Sequence, residues 1–136
     1  RIAAAIDATT TRRRSAPPSA GPLVQRGKDL LLAGRAPEAL PILEEAVSTE
    51  PYSAEAQYQL ARAFRATGDH FRAMTAFEHA VELRPAHLSA LRALAALYEE
   101  KGFRRKATET LERALSVATD DPTRGAIRED LLALLG

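Results

Sequence analysis

The 136-residue chain has no cysteine, no tryptophan and no asparagine. Without Cys there is no disulfide framework, no thiolate metal site and no Cys nucleophile. Aromatic residues make up 5% of the chain while Ala occurs 28 times, so its core is built from Ala and Leu, a composition that suits closely packed helices better than sheets. No apolar run approaches the ~18 to 20 residues of a membrane-spanning helix, and no apolar segment with a small-residue cleavage site is present. A membrane span is therefore not expected, and the cytoplasm is favoured, with periplasmic and extracellular settings left open. The chain also lacks a Gly-rich phosphate loop, a G-x-S-x-G turn and an H-E-x-x-H pair, and so lacks the common signatures of phosphate, acyl-transfer and zinc chemistry.

What remains is ordinary for a soluble domain: 46% apolar residues and a formal net charge of +1. The length is that of one domain with a continuous core. Charge is unevenly placed, because Arg1, Arg12, Arg13 and Arg14 against Asp7 give residues 1–22 a balance of +3, which leaves −2 for residues 23–136. Arg outnumbers Lys by 16 to 3, a bias expected of a high-GC, bacterial coding sequence. Met74 is the only methionine, so the sequence is expected either to have lost an initiator or to be a fragment of a longer protein.

One period organises the chain. Gly34, Gly68 and Gly102 are spaced by 34 residues, and the same step links Ala39, Ala73 and Ala107; Ala46, Ala80 and Ala114; Leu43, Phe77 and Leu111; Leu30, Phe64 and Tyr98; and Gly27, Ala61 and Ala95. Pro51 and Pro85 begin a further column that Thr119 breaks. Within each unit, Leu23–Gly27–Leu30, Gln57–Ala61–Phe64 and Leu91–Ala95–Tyr98 recur at i, i+4 and i+7, one stripe of a helix. These are the A helices. The small middle residue lets a second helix approach closely. A Gly suited to the left-handed conformation follows, and then a B-helix stripe such as Ala73, Phe77 and Ala80. Pro51 and Pro85 end the B helices, since the residue before a Pro is driven out of the α region.

This helix-turn-helix unit, with its small-residue, Gly, Ala, aromatic, Ala and Pro columns, resembles the tetratricopeptide repeat (TPR) family. The resemblance covers units at 20–53, 54–87 and 88–121 and is strongest in the second. It implies an all-α fold, a right-handed α-solenoid of TPR repeats. Departures are local: Arg26 stands where Leu60 and Leu94 stand in the other units, which predicts a more exposed first A helix. Pro41 falls inside the first B helix, near its opening turns. After residue 121 an N-cap at Asp121, Pro122 at the first helical position, and Ile127, Leu131, Leu134 and Leu135 on one face, with Arg124, Arg128 and Glu129 outside, predict a capping helix over 122–136. A dimer face, or the start of a further repeat, fits the same leucines.

No constellation of catalytic residues emerges. His70, His79 and His87 are spaced by 9 and 8 residues, which does not place them together on one helix face, and they read as surface or interface residues, not as metal ligands. No cofactor, no metal and no enzymatic activity are expected. In TPR proteins the A helices line a concave groove that binds a peptide or partner segment, and the resemblance implies such a site here. Turning about 100° per residue, the positions after each core stripe are Val24, Lys28 and Leu31; Tyr58, Arg62 and Arg65; and Arg92, Ala96 and Glu99. Lys28, Arg62, Arg65 and Arg92 against Glu99 make the groove basic, with an apolar end at Val24, Leu31 and Tyr58.

The expected partner is therefore an acidic peptide or protein segment, gripped by Arg. Family members that clamp a terminal carboxylate use Asn with Lys or Arg, and the absence of Asn excludes that arrangement. No nucleic acid is expected, because Val24/Tyr58/Arg92 and Lys28/Arg62/Ala96 do not form a repeated code. The alternative to a peptide-binding adaptor or assembly factor is a structural subunit that self-associates through the leader or the leucine-rich C-terminal helix. The leader, residues 1–19, reads by composition as a basic, Pro/Ser/Ala-rich linker. A plain tail, a docking segment, and a strand lying in its own or a neighbour's groove are all consistent with it.

Overall fold

The computed structural model describes residues 19–136; the leader through residue 18 lies outside the described residues. Among the described residues are seven helices and no strand: α1 (Gly21–Leu32), α2 (Ala36–Thr49), α3 (Ala54–Ala66), α4 (His70–Leu83), α5 (Leu88–Glu100), α6 (Arg104–Val117) and α7 (Asp121–Leu135). Three pairs, α1/α2, α3/α4 and α5/α6, stack in sequence, and α7 packs on α6. The chain is an all-α solenoid of helical repeats.

Each A helix ends by the same device. Gly34, Gly68 and Gly102 have φ of +76°, +89° and +82°, a conformation that costs a residue with a side chain far more than it costs Gly. The reversal closes on two backbone bonds. The Gly34 N–H donates to the Leu31 carbonyl and the Arg35 N–H to that of Leu30; Gly68 and Asp69 repeat this on Arg65 and Phe64, and Gly102 and Phe103 on Glu99 and Tyr98. Carbonyls left over at a helix end are thereby satisfied.

The helix starts are less uniform. Ser53, Asp69, His87 and Asp120 accept the N–H of Ala56, Arg72, Ala90 and Thr123, respectively. The cap of α7 is thus Asp120 and not Asp121, with Pro122 one position further into the helix than the sequence suggested. Pro needs no N–H anywhere in the first turn, so either register accommodates it, and the Asp120 carboxylate reaches the Thr123 N–H at 2.9 Å. The other starts, at α1, α2 and α6, have no side-chain cap, and Pro22 and Pro37 lie in the first turns of α1 and α2. Pro41 lies within α2, on its exposed side.

The 34-residue columns are the core. Ala39, Leu43, Ala46, Ala73, Phe77, Ala80, Ala107, Leu111 and Ala114 are all buried, as are Ala61, Phe64, Leu91, Ala95 and Tyr98. Gly27 shows why the column needs small residues: a Cβ built there would stand 2.3 Å from Leu43 Cδ2 and 2.5 Å from Leu43 Cγ. Arg26 is exposed while Leu60 and Leu94 are buried, so the first A helix keeps one flank in water.

The last helix departs from its expected face. Ile127 and Leu134 are buried and Leu131 is half-buried, but Leu135 is 72% exposed and Leu132 68%. Arg124, expected outside, is half-buried; its guanidinium donates to the carbonyls of Leu115 (2.6 Å) and Ala118 (2.9 Å). A cation bonded to the last carbonyls of a helix is favoured by their partial negative charge, so α7 is fastened to the end of α6 by a polar bond as well as by Ile127.

Candidate functional site

The A helices lie side by side. Residues from α1 and from the start of α3 line one recess between them, including Val24, Lys28, Ser53 and Glu55. Between α3 and α5 there are direct side-chain bonds: Arg65 to Glu100 at 2.5 Å and His87 Nε2 to Glu55 at 3.3 Å. Leu88, Arg92 and Ala96 of α5 share a second recess with Thr123 and Asp130 of α7.

Along this surface the eight expected residues have different fates. Val24 is only 8% exposed and packs with Ala20, Ala46 and Ala56. It is part of the seam between the first two pairs, not an open docking point, because the start of α3 covers it. Leu31 is half-buried against the core, and Lys28 is half-buried. Tyr58 is half-buried, with ring centroids 4.7 Å from His87 and 5.8 Å from Phe77. Arg62 lies over the Tyr58 ring at 5.9 Å, and its NH1 donates to Gln59 Oε1 at 2.9 Å. Arg65 is committed to Glu100. Arg92 is half-buried and Glu99 exposed.

These contacts form a connected polar layer. Glu55 accepts from Gln59 Nε2 at 2.7 Å as well as from His87, and Gln59 is only 2% exposed. Gln59 therefore holds the Arg62 guanidinium at a fixed height above Tyr58. Since Arg62 uses one nitrogen in this bond, the rest of its donor fork stays available for a carboxylate. Arg92 faces acid from its own molecule: the Asp120 carboxyl is held below the usual carboxylate range by its hydrogen bonds from Thr123 and, to a smaller extent, by Arg92.

Of the three histidines read from the sequence as surface or interface residues, His87 lies at an interface inside the molecule. It is buried: Nδ1 accepts from the Ala90 N–H at 3.1 Å and its ring packs against Tyr58 at a tilt of 42°. Its role is to cap α5 and join it to α3. The available signal was its column, Ser19/Ser53/His87, the residue just before the helix starts at Ala54 and Leu88. A third inter-pair bond had no such signal: the Tyr98 hydroxyl donates to Glu78. Burial first, and then this bond, push the Tyr98 phenol above its ordinary range.

Charge is segregated. The surface set Lys28, Arg62, Arg65 and Arg92 against Glu99 carries +3, whereas residues 19–136 together carry −2, so the remaining described surface carries −5. Among the described residues no helix is long and apolar enough to cross a membrane.

Comparison with known proteins gives one family. One tetratricopeptide repeat model matches residues 30–75 and another residues 90–125, together more than half of the chain. A TPR repeat-containing protein of Rhizobium etli is 30% identical over 89 residues, 65% of this chain and 44% of that protein. The chain thus spans less than half the length of this curated relative. Among solved structures, the type III secretion translocator chaperone SycD of Yersinia enterocolitica superposes with a TM-score of 0.78 at 14% identity, covering 84% of this chain and 81% of that one. The first TPR of Spaghetti (RPAP3), bound to the HSP90 peptide SRMEEVD, superposes with a TM-score of 0.75 at 19% identity, covering 87% and 97%.

Proposed function

Since the chain belongs to the tetratricopeptide repeat family, we propose that it is a non-catalytic protein–protein interaction module, an adaptor or assembly factor, holding an acidic partner segment against α1, α3 and α5. Its units are 20–53, 54–87 and 88–121, with 122–136 as the cap. The observation that carries this reading is the Tyr58–Arg62–Gln59 arrangement, an aromatic floor with a guanidinium held over it and donors to spare. Lys28 and Arg92 extend the same positive strip to either side. The peptide on the RPAP3 domain carries three carboxylate side chains in SRMEEVD, which is the ligand chemistry this strip suits. Lacking Asn, the chain would grip such a segment with Arg.

The test is titration of acidic peptides, or of a partner captured from native extract, against the wild type and an Arg62→Ala/Arg65→Ala variant. Binding should weaken in the variant, and wild-type affinity should fall as salt rises, because exposed charge pairs are screened. Unchanged affinity in both measurements would remove the concave strip as the site. A structural-subunit role is favoured by one observation, the exposed Leu132 and Leu135 on α7. Molar mass that grows with concentration would support it, and constant mass would leave the monomeric binder.

A further inference from the structure

A second surface lies on the edge where α2 passes into α3. Pro51, Tyr52 and Leu83 form an apolar recess, with Tyr52 87% and Leu83 37% exposed. Three carboxylates border it, Glu50, Glu55 and Glu82, against one guanidinium, Arg84, and the imidazole of His79. The site thus joins exposed apolar side chains to an excess of carboxylates. Glu50 spends one acceptor on the Ala20 N–H and Glu55 two, on Gln59 and His87. An ionised carboxylate offers about four lone-pair sites, so both keep acceptors for an incoming cation.

The chain enters the described structure at this place. Ser19 shares a recess with Glu50, Ser53 and Glu55, and those three residues also line the Tyr52 recess. The two hollows are therefore neighbours, with the carboxylates between them. Upstream of Ser19 the sequence carries Ile2, Ile6 and the run Arg12–Arg13–Arg14, a balance of +3. Four residues separate Arg14 from Ser19, five Cα–Cα steps that reach at most about 17 Å, and the isoleucines lie further along the same tether. A tethered cation needs only a local search to find these carboxylates.

We infer that residues 1–14 of the same molecule dock on this edge, with Arg12–Arg14 against Glu50, Glu55 and Glu82 and an isoleucine in the Tyr52–Leu83 recess. The inference differs from the basic strip in charge and ligand, and it adjoins that strip at Glu55, which lines the recess with Lys28 as well. It gives the basic leader and this acidic edge complementary roles.

The absence of Cys makes the test clean. In the full chain, an Ala4→Cys substitution carrying a nitroxide label should cause loss of amide NMR intensity at Tyr52, Ser53, Leu83 and Arg84. That loss should shrink in a Glu50→Gln/Glu82→Gln variant, in Tyr52→Ser, and in 1 M salt, where screening acts over ~3 Å. Gln retains the acceptor for the Ala20 N–H, and Tyr52 is exposed, so these variants leave the fold standing. Intensity loss at Lys28, Arg62 and Arg92 instead, or no selective loss, overturns the proposal. Loss seen only when labelled chain is mixed with isotope-labelled, spin-free chain overturns it too, in favour of a second copy as donor of the segment.

Discussion

The first two helix pairs meet differently from the second and third. At the earlier seam Ala20, Val24, Ala46 and Ala56 pack with Leu23 and Val47, and the polar bond beside them, the Ala20 N–H to Glu50, runs within the first pair, from the start of α1 to the end of α2. At the later seam, Glu55–His87, Arg65–Glu100, Tyr98–Glu78 and the Tyr58–His87 ring contact join the pairs. One joint works by size, the other by hydrogen bonding. A repeated pattern thus dictates how two helices pair within a unit while leaving the joint between units free to vary. The candidate binding strip sits over the joint that is bonded, where side chains are held in place.

The comparison can be broken in five ways, taken from the largest expected effect to the smallest. Phe77→Ala removes a fully buried ring from the middle of the core and should cost about 3–5 kcal/mol, measured by denaturant unfolding. A loss under about 1 kcal/mol would mean that the later seam does not lean on the core. Gly27→Ala is a test of sign. Helix propensity alone would favour Ala by about 1 kcal/mol, but the 2.3 Å approach to Leu43 should turn this into a net loss of about 1–3 kcal/mol. In a Leu43→Ala background the same change should become favourable; if it is already favourable in the wild type, the size limit within the first pair is refuted.

His87→Ala removes the cap of α5 and its bond to α3, and should cost about 1–2 kcal/mol. His87→Ser keeps a cap oxygen and should recover most of that, leaving the inter-pair share as the difference. Equal losses in the two variants would mean that the joint, and not the cap, carries the effect. Tyr98 offers a pH test. Its folded phenol titrates above the unfolded value of about 10, so its share of stability is complete below pH ~10 and is lost as pH rises beyond it. Tyr98→Phe should therefore unfold with a shallower decline above pH 10 than the wild type, and parallel curves would show that the Glu78 bond contributes nothing. Arg65→Ala, breaking a partly exposed pair, should cost less than about 1 kcal/mol; a larger loss would make that bond the main fastening of the later seam.

The columns of the sequence carried the solenoid because burial repeats every 34 residues: Ala39, Ala73 and Ala107, for instance, are all at 0% exposure. The polar joints were hidden because they do not repeat. Glu55 reaches His87 over 32 residues, Arg65 reaches Glu100 over 35, and Tyr98 reaches Glu78 over 20, so none forms a column. Val24 went astray for a related reason. Helical geometry gives a side chain's direction from its own helix axis but not what the next unit lays over it, and here Ala56 closes the position. Leu135, the last residue of α7, is exposed while Ile127 and Leu134 of the same expected face are buried.

The contact between Gly27 and Leu43 also constrains the order in which this sequence can change. Any side chain at position 27 collides with Leu43 unless that residue is first made smaller, and shrinking Leu43 alone leaves a void. Routes to a broader first pair therefore cross a less stable intermediate, and the accessible one opens at position 43. Comparable positions in the second and third pairs already hold Ala61 and Ala95, so the first unit is a separate solution with its own mutational path, reached by paired substitution and not by copying its neighbours one residue at a time.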